Sequence, residues 1–295
     1  MARYVRLTDR AGYVAGPANI GVVEEDGDRV VLIDTGIDAA TAKKAVRVLA
    51  EQGRKPVAVV STHSHADHIG GNAFLAGSGV PVYAPALEAA FIENPLLEPL
   101  SLTGGASPWP TLRHKFLMAR PSPVSGRLQP GTVFRDLEII DLGGHSLGQI
   151  GVRGGGVLFA ADSFLGPDVL QKHVIPYNVD IPAYLASLDR VGQTAASFVL
   201  PGHGPAYLDP APAVRANRDT VLRQVEMVRE LLGEGPLTIS RLLAKFLARL
   251  QLNVTSDTYY LLYRTATLAY LSYLCHRGEA SVRLADNELL FGLER

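Results

Sequence analysis

Ser61-Thr62-His63-Ser64-His65-Ala66-Asp67-His68-Ile69-Gly70-Gly71 is the stretch of this chain on which its fold and chemistry turn. It follows a continuous apolar run over residues 57–61, the pattern of a strand buried on both faces. Just past such a strand the backbone is still extended, so His63 and His65 point the same way and can grip one ion together. Asp67 and His68 then turn at a helix start and can face a second ion. Imidazole and carboxylate donors suit zinc, and also manganese or iron(II), whereas an all-oxygen cage would suit magnesium or calcium. Three histidines and one aspartate within six positions are hard to explain as structure alone, because burying them unpartnered costs on the order of several kcal/mol.

Upstream, short apolar runs at 13–14, 20–23 and 29–33 read as strands, the last two joined by a turn at Asp26 and Gly27 and ending in Asp34-Thr35-Gly36. Residues 38–52 carry helical spacing through Ala42, Ala45, Val46 and Leu49, with a stop at Gly53. Downstream, a short helix over 70–75 and a strand over 80–83 are expected. Residues 85–131 then change character: rich in Pro and Gly, with Glu88, Glu93 and Glu98 early and Arg113, His114, Lys115, Arg120 and Arg127 late. Insertions of this kind are lids or surface elaborations, and the two readings stand equal. Strands resume over 132–134, 137–142, 149–153 and 157–161, followed by a helix over 181–191 and a strand over 197–200. Such alternation predicts a layered α/β sandwich.

Three more candidate ligands sit where those strands end: His145 in Gly143-Gly144-His145-Ser146-Leu147-Gly148-Gln149, Asp162 in Ala161-Asp162-Ser163, and His203 in Pro201-Gly202-His203-Gly204. Strand ends and the loops beyond them are where sites assemble in layered α/β proteins. Flanking glycines let the backbone come close.

The tail differs. Residues 211–232, 237–250 and 258–276 read as helices, and 281–284 with 288–291, joined at Asp286 and Asn287, as a hairpin. The expected organisation is a catalytic domain over 1–210, with the 85–131 insertion, and a helical, winged-helix-like domain over 211–295.

Composition bounds the rest. A formal charge of −1 supplies no basic excess to draw the chain to nucleic acid. Cys275 is alone, so there is no intramolecular disulfide and any metal rests on His and carboxylates. The N-terminal segment has no apolar h-region, and no stretch approaches a transmembrane span. A soluble cytoplasmic protein is expected.

In order and spacing, Asp34 of the Asp-Thr-Gly, the His-x-His-x-Asp-His run, His145, Asp162 and His203 resemble the metallo-β-lactamase superfamily over about residues 20–205, the insertion apart. The resemblance implies an αββα sandwich with a two-metal site at one edge. It assigns His63, His65 and His145 to one ion and Asp67, His68 and His203 to the other, with Asp162 bridging and Asp34 orienting the ligand loop without touching an ion. A glutamate at the position of His65 would imply a di-iron oxidoreductase. The B1 lactamases carry Arg at the position of His68 and Cys near that of Asp162, so lactamase activity is disfavoured. The pattern is closer to glyoxalase II, the lactonases and the phosphodiesterase and nuclease members.

The expected reaction is hydrolysis by a metal-bridging hydroxide, oriented by Asp67, on a small-molecule thioester, ester or lactone, with two divalent ions, zinc first and then manganese or iron. His173 in Leu170-Gln171-Lys172-His173-Val174 is a candidate leaving-group acid or substrate contact, as are Lys172 and Tyr177. His114 and His276 read as structural or exposed. The alternative is a phosphodiesterase or endoribonuclease whose tail presents Arg215, Arg218, Arg223, Arg241, Lys245 and Arg249 to phosphates. Interspersed Glu226, Glu230 and Glu234 favour a plain solvated surface instead. A third reading is non-catalytic, with the tail a homodimerisation module and the metals structural; it is disfavoured because structural zinc sites are closed, mononuclear and thiolate-rich.

Overall fold

The computed structural model describes residues 3–294. The first half runs β1 (Arg3–Arg6), β2 (Ala11–Ala15), β3 (Ile20–Glu24), β4 (Arg29–Ile33), α1 (Ala39–Ala50), β5 (Lys55–Val60), α2 (Ala66–Ile69), α3 (Asn72–Gly77) and β6 (Val82–Pro85). The insertion supplies α4 (Ala86–Glu93), α5 (Leu97–Leu102), a 3₁₀ turn at Pro110–Leu112 and β7 (Gly126–Leu128). Then come β8 (Val133–Phe134), β9 (Leu137–Asp141), β10 (Ile150–Gly154), β11 (Val157–Ala161), α6 (Pro167–Lys172), α7 (Ile181–Gln193) and β12 (Phe198–Pro201). The tail is α8 (Ala211–Gly233), α9 (Ile239–Arg249), α10 (Asp257–His276) and the hairpin β13 (Ala280–Ala285) and β14 (Glu288–Leu293).

Strands β1 to β7 form one sheet in chain order, antiparallel through β4 and parallel from there on. The second sheet has the order β12-β11-β10-β9-β8, and β12 joins it parallel to β11. Side-chain alternation glues the layers. Val31 and Ile33 meet Ile139, Val152 and Phe159 between the sheets, while Val30 and Leu32 face Ala42, Ala45 and Leu49 of α1. Leu158 and Ala160 turn the other way, onto Tyr184 and Leu188 of α7. The expected αββα sandwich is the fold, and each strand between two apolar layers reads as an uninterrupted apolar run for that reason.

Local differences have local causes. The expected helix over 70–75 is α3, displaced to Asn72–Gly77, and a separate helical turn, α2, precedes it; between them the chain turns, where the His68 carbonyl accepts the Thr35 amide at 2.7 Å. The insertion is folded and tied down. β7 pairs with β6, Leu102, Leu112 and Leu117 pack on Leu261 of α10, and Trp109 Nε1 donates to Asp257 at 2.7 Å. Its helix α4 escapes a periodicity reading because apolar and small residues surround most of its turns, so no polar stripe marks it. The hairpin turns through Asp286 and Asn287, both at positive φ as a two-residue turn requires. Among the described residues no helix is long and apolar enough to cross a membrane.

The tail shares its core with the second sheet: Leu158, Ala160 and Val199 belong to one apolar cluster with Val221, Leu242, Phe246 and Leu271. Phe246 is fully buried, its ring edge-on to that of Tyr270 at 6.2 Å. Phe246→Ala is expected to lower stability by about 3–5 kcal/mol and to shift one cooperative transition reported alike by tail and sandwich probes. Two separate transitions, with only the tail affected, would show that residues 211–295 fold on their own.

Candidate metal centre

Asp34 stands immediately after β4, at φ 64, a left-handed conformation that aspartate tolerates better than most residues. That turn directs its carboxylate across the end of β5. Oδ1 accepts the Thr62 amide at 2.8 Å, and Oδ2 accepts the Thr62 hydroxyl at 2.8 Å and His68 Nδ1 at 2.9 Å. With its hydroxyl proton directed at Asp34, Thr62 Oγ1 accepts from His63 Nδ1 at 3.0 Å. One carboxylate thus orients two imidazoles through their Nδ1 atoms, leaving each Nε2 to face the cluster.

Backbone carbonyls do the same for two other rings. His145 Nδ1 donates to Tyr177 O at 2.8 Å and His203 Nδ1 to Pro17 O at 2.6 Å. Their Nε2 atoms are left facing inward. His65, at the N-cap of α2, instead offers Nδ1, which comes within 2.9 Å of His145 Nε2, near the ~3.3 Å span expected between two nitrogens on one tetrahedral zinc.

Ligand-type atoms of His63, His65 and His145 lie within 4.8 Å of one another, and so do those of Asp67, His68 and His203. Asp162 stands between the two triads. Its Oδ1 is 3.5 Å from His68 Nε2, and its Oδ2 is 3.4 Å from His203 Nε2 and 3.6 Å from His145 Nε2. Gly202 makes that placement feasible, since a Cβ there would lie 2.0 Å from Asp162 Oδ1 and 2.7 Å from the His68 ring. A third grouping, Asp34 with His63 and His68, holds no free cradle, because hydrogen bonds already engage both Asp34 oxygens.

Charges in the cluster are strongly coupled. Burial, then positive charge on His68 and His65, keeps His63 well below the ordinary imidazole range. Burial and His65 push His145 down to about 3. The Asp162 carboxylate raises His203 to about 10. Burial works against a charged His68, yet Asp162, Asp67 and Asp34 together hold it above the ordinary value. Asp162 and Asp67 are depressed in turn: burial opposes this, but His203 and His68 outweigh it.

Among the described residues, His63 Nε2, His68 Nε2 and Asp162 Oδ1 are buried with no hydrogen-bond partner. Orphaned polar atoms in such a place are costly, and three of them converging from the β5–α2 segment and the end of β11 fit a cation. The donor set of imidazoles and carboxylates, with no thiolate, fits zinc, manganese or iron.

His173 caps the end of α6 and is exposed. It forms no hydrogen bond or ion pair with the seven clustered residues, and burial, followed by the nearby charge of His203, lowers it below the ordinary imidazole value. Tyr177 lines the cluster, its ring centre 5.6 Å from that of His65; Lys172 is exposed. His114 ties the insertion to Thr258 at 3.2 Å, and His276 is exposed on α10. Two insertion residues escaped the sequence reading. Burial raises the Glu98 carboxyl, with His65 acting against the shift. Glu88 is 4% exposed and bonds to the loops carrying His63, His65 and His145. Their only sequence signal is acidic residues placed soon after β6.

Similarity to known proteins agrees with this geometry. The family model described as the metallo-beta-lactamase superfamily matches residues 13–203 and ends before α8. A beta-lactamase domain protein from Burkholderia ambifaria superposes with TM-score 0.76 at 18% identity, over 99% of this chain and 93% of that one. A metallo-beta-lactamase family protein from Thermus thermophilus gives 0.72 at 22% identity, over 94% of each chain. The metallo-beta-lactamase FIM-1 from Pseudomonas aeruginosa, solved in a mono-zinc form, gives 0.55 at 22% identity, over 74% of this chain and 96% of that one. At such identities the likeness carries the fold, and the matched family model carries membership. The chain belongs to the metallo-beta-lactamase superfamily, whose members are metal-dependent hydrolases.

Proposed function

We propose that this chain is a hydrolase that works with two divalent cations, zinc first among them, on a small-molecule thioester, ester or lactone. The observation that carries the reading is the pair of triads, each closed within 4.8 Å, with the Asp162 carboxylate between them. His63, His65 and His145 would hold one cation and Asp67, His68 and His203 the other, with the Asp162 carboxylate within reach of both sets. Such cations would supply Lewis acidity and ease the ionisation of water. The residues supply orientation. Asp67, whose side chain is 39% exposed, can accept a hydrogen bond from the attacking water and fix its direction. Tyr177 closes one flank and restricts the approach of bulk water.

The charge balance of the tail supports a small substrate over nucleic acid. Of the candidate phosphate contacts, Arg218 pairs with Asp189, Lys245 with Glu234 and Arg249 with Glu230. The carboxylates beside these cations offset the local positive potential on which phosphate binding depends.

His173 is lowered from 6.5, so it is largely neutral at neutral pH. A neutral imidazole at the rim serves better as a hydrogen-bond contact to the leaving group than as a proton store.

Purified protein is expected to bind two equivalents of zinc and to turn over a thioester or lactone in preference to bis-p-nitrophenyl phosphate or single-stranded RNA. His63→Ala combined with His65→Ala should cost at least about a hundredfold in turnover; full metal content and activity in that variant would end the proposal. Metal uptake should also release protons. In the metal-free chain His203, raised to about 10, is protonated at pH 7, and a ligand must shed that proton. Its ion pair with Asp162 stabilises the metal-free fold fully below pH 6.5 and fades as pH rises through about 10. Calorimetric titration at pH 7 in buffers of different ionisation enthalpy should therefore show a buffer-dependent heat, and apparent affinity should climb between those two pH values. A buffer-independent heat contradicts the ligand role of His203. Finally, His173→Ala should raise KM several-fold and leave the shape of the kcat–pH profile intact, whereas loss of its alkaline limb would make His173 the acid.

A further inference from the structure

Glu88 stands three residues beyond β6, in the first turn of α4, 4% exposed. Among the described residues, no arginine or lysine meets its carboxylate. Oε2 accepts the Ser64 amide at 2.9 Å, and Oε1 accepts the Ser146 hydroxyl at 2.7 Å and the Gly148 amide at 2.8 Å. Ser64 lies between His63 and His65, and Ser146 follows His145 directly. The approach is tight: a Cβ on Gly148 would fall 3.0 Å from Glu88 Oε1. These donors to the buried carboxylate all come from the two loops that carry the first triad.

We infer that Glu88 is a positioning residue for the first cation site, stapling the His63/His65 loop to the His145 loop and setting the geometry of that triad before an ion arrives. The inference rests on the two-cation reading above. Two physical arguments lead to it. The loops come from different sheets and are far apart in sequence, so without a staple their relative placement would be purchased from the energy of metal binding. The triads also differ in charge. The second contains Asp67, whereas the first is three imidazoles and shares only Asp162. The Glu88 carboxylate, one hydrogen bond removed from both loops, provides the negative charge that the first set lacks. The donors left facing a Glu88→Gln carboxamide are an N–H on one side and an O–H and an N–H on the other. One side must then meet the amide NH₂ donor to donor.

Cobalt(II) titration followed by its visible absorption tests this in three backgrounds: the unsubstituted chain, His203→Ala, which keeps the first triad intact, and His65→Ala, which keeps the second. Glu88→Gln is expected to weaken cobalt binding by about ten- to a hundredfold in the His203→Ala background and to alter its spectrum. In the His65→Ala background affinity should change less than about twofold. Ser146→Ala, which removes one donor and spares the carboxylate, should reproduce the pattern at smaller amplitude and keeps the test alive if Glu88→Gln does not fold, as judged by circular dichroism. Equal weakening in both backgrounds, or none in either, overturns the inference and leaves the two-cation reading standing. No cobalt binding by the unsubstituted chain overturns that reading itself, and the staple with it.

Discussion

The Asp34 carboxylate is held almost fully out of water with both oxygens engaged, and the arrangement of the cluster follows from that confinement. Its oxygens take the Thr62 amide, the Thr62 hydroxyl and His68 Nδ1; through Thr62 the constraint passes to His63. A buried anion without these donors would be driven to its neutral form, and the rings it orients would lose their defined orientation. The left-handed turn at Asp34 is a small conformational strain, balanced by hydrogen bonds to charge, which are among the strong ones. Deep imidazoles facing one another then become tolerable, since their ring nitrogens converge on a space fit for cations.

Around that point, outer supports differ from ring to ring. His145 leans on the Tyr177 carbonyl and His203 on the Pro17 carbonyl. Asn19 completes the latter contact, its amide side chain donating to the carbonyls of Pro201 at 3.0 Å and Gly204 at 2.8 Å. The supports come from the insertion, the first sheet, the second sheet and the loop after α6. A site assembled this way is stiff because its parts belong to different layers, each already fixed by its own packing.

Much of this was legible in the sequence, for physical reasons that vary by element. Strand β5 and the histidines after it could be read because a doubly buried strand must be apolar throughout and because ionisable residues at its end are too costly to place idly. Strands β9 to β12 were legible on the same ground, and Asp162 and His203 by their place at strand ends. The αββα layering followed. The insertion was not legible: α4 lacks a polar stripe, and the role of Glu88 depends on three donors 24, 58 and 60 residues away, which no local pattern encodes. The continuity of the tail with the second sheet was equally hidden, since periodicity marks an apolar helix face but not what covers it. Surface cations of the tail look like a phosphate-binding set in sequence, and only spatial pairing shows which of them are already engaged.

The contact between His203 and Pro17 joins residues 186 positions apart, and it closes the cluster. Neither sheet alone contains it. A chain emerging from synthesis can complete its first sheet, with the histidines after β5 in place, long before residue 203 exists, so those rings spend that interval as an open and incomplete chelator. Contacts of such long span are slow to form. The centre is thereby complete only once β12 has joined the second sheet, and whatever guards nascent chains from adventitious ions must do so until then.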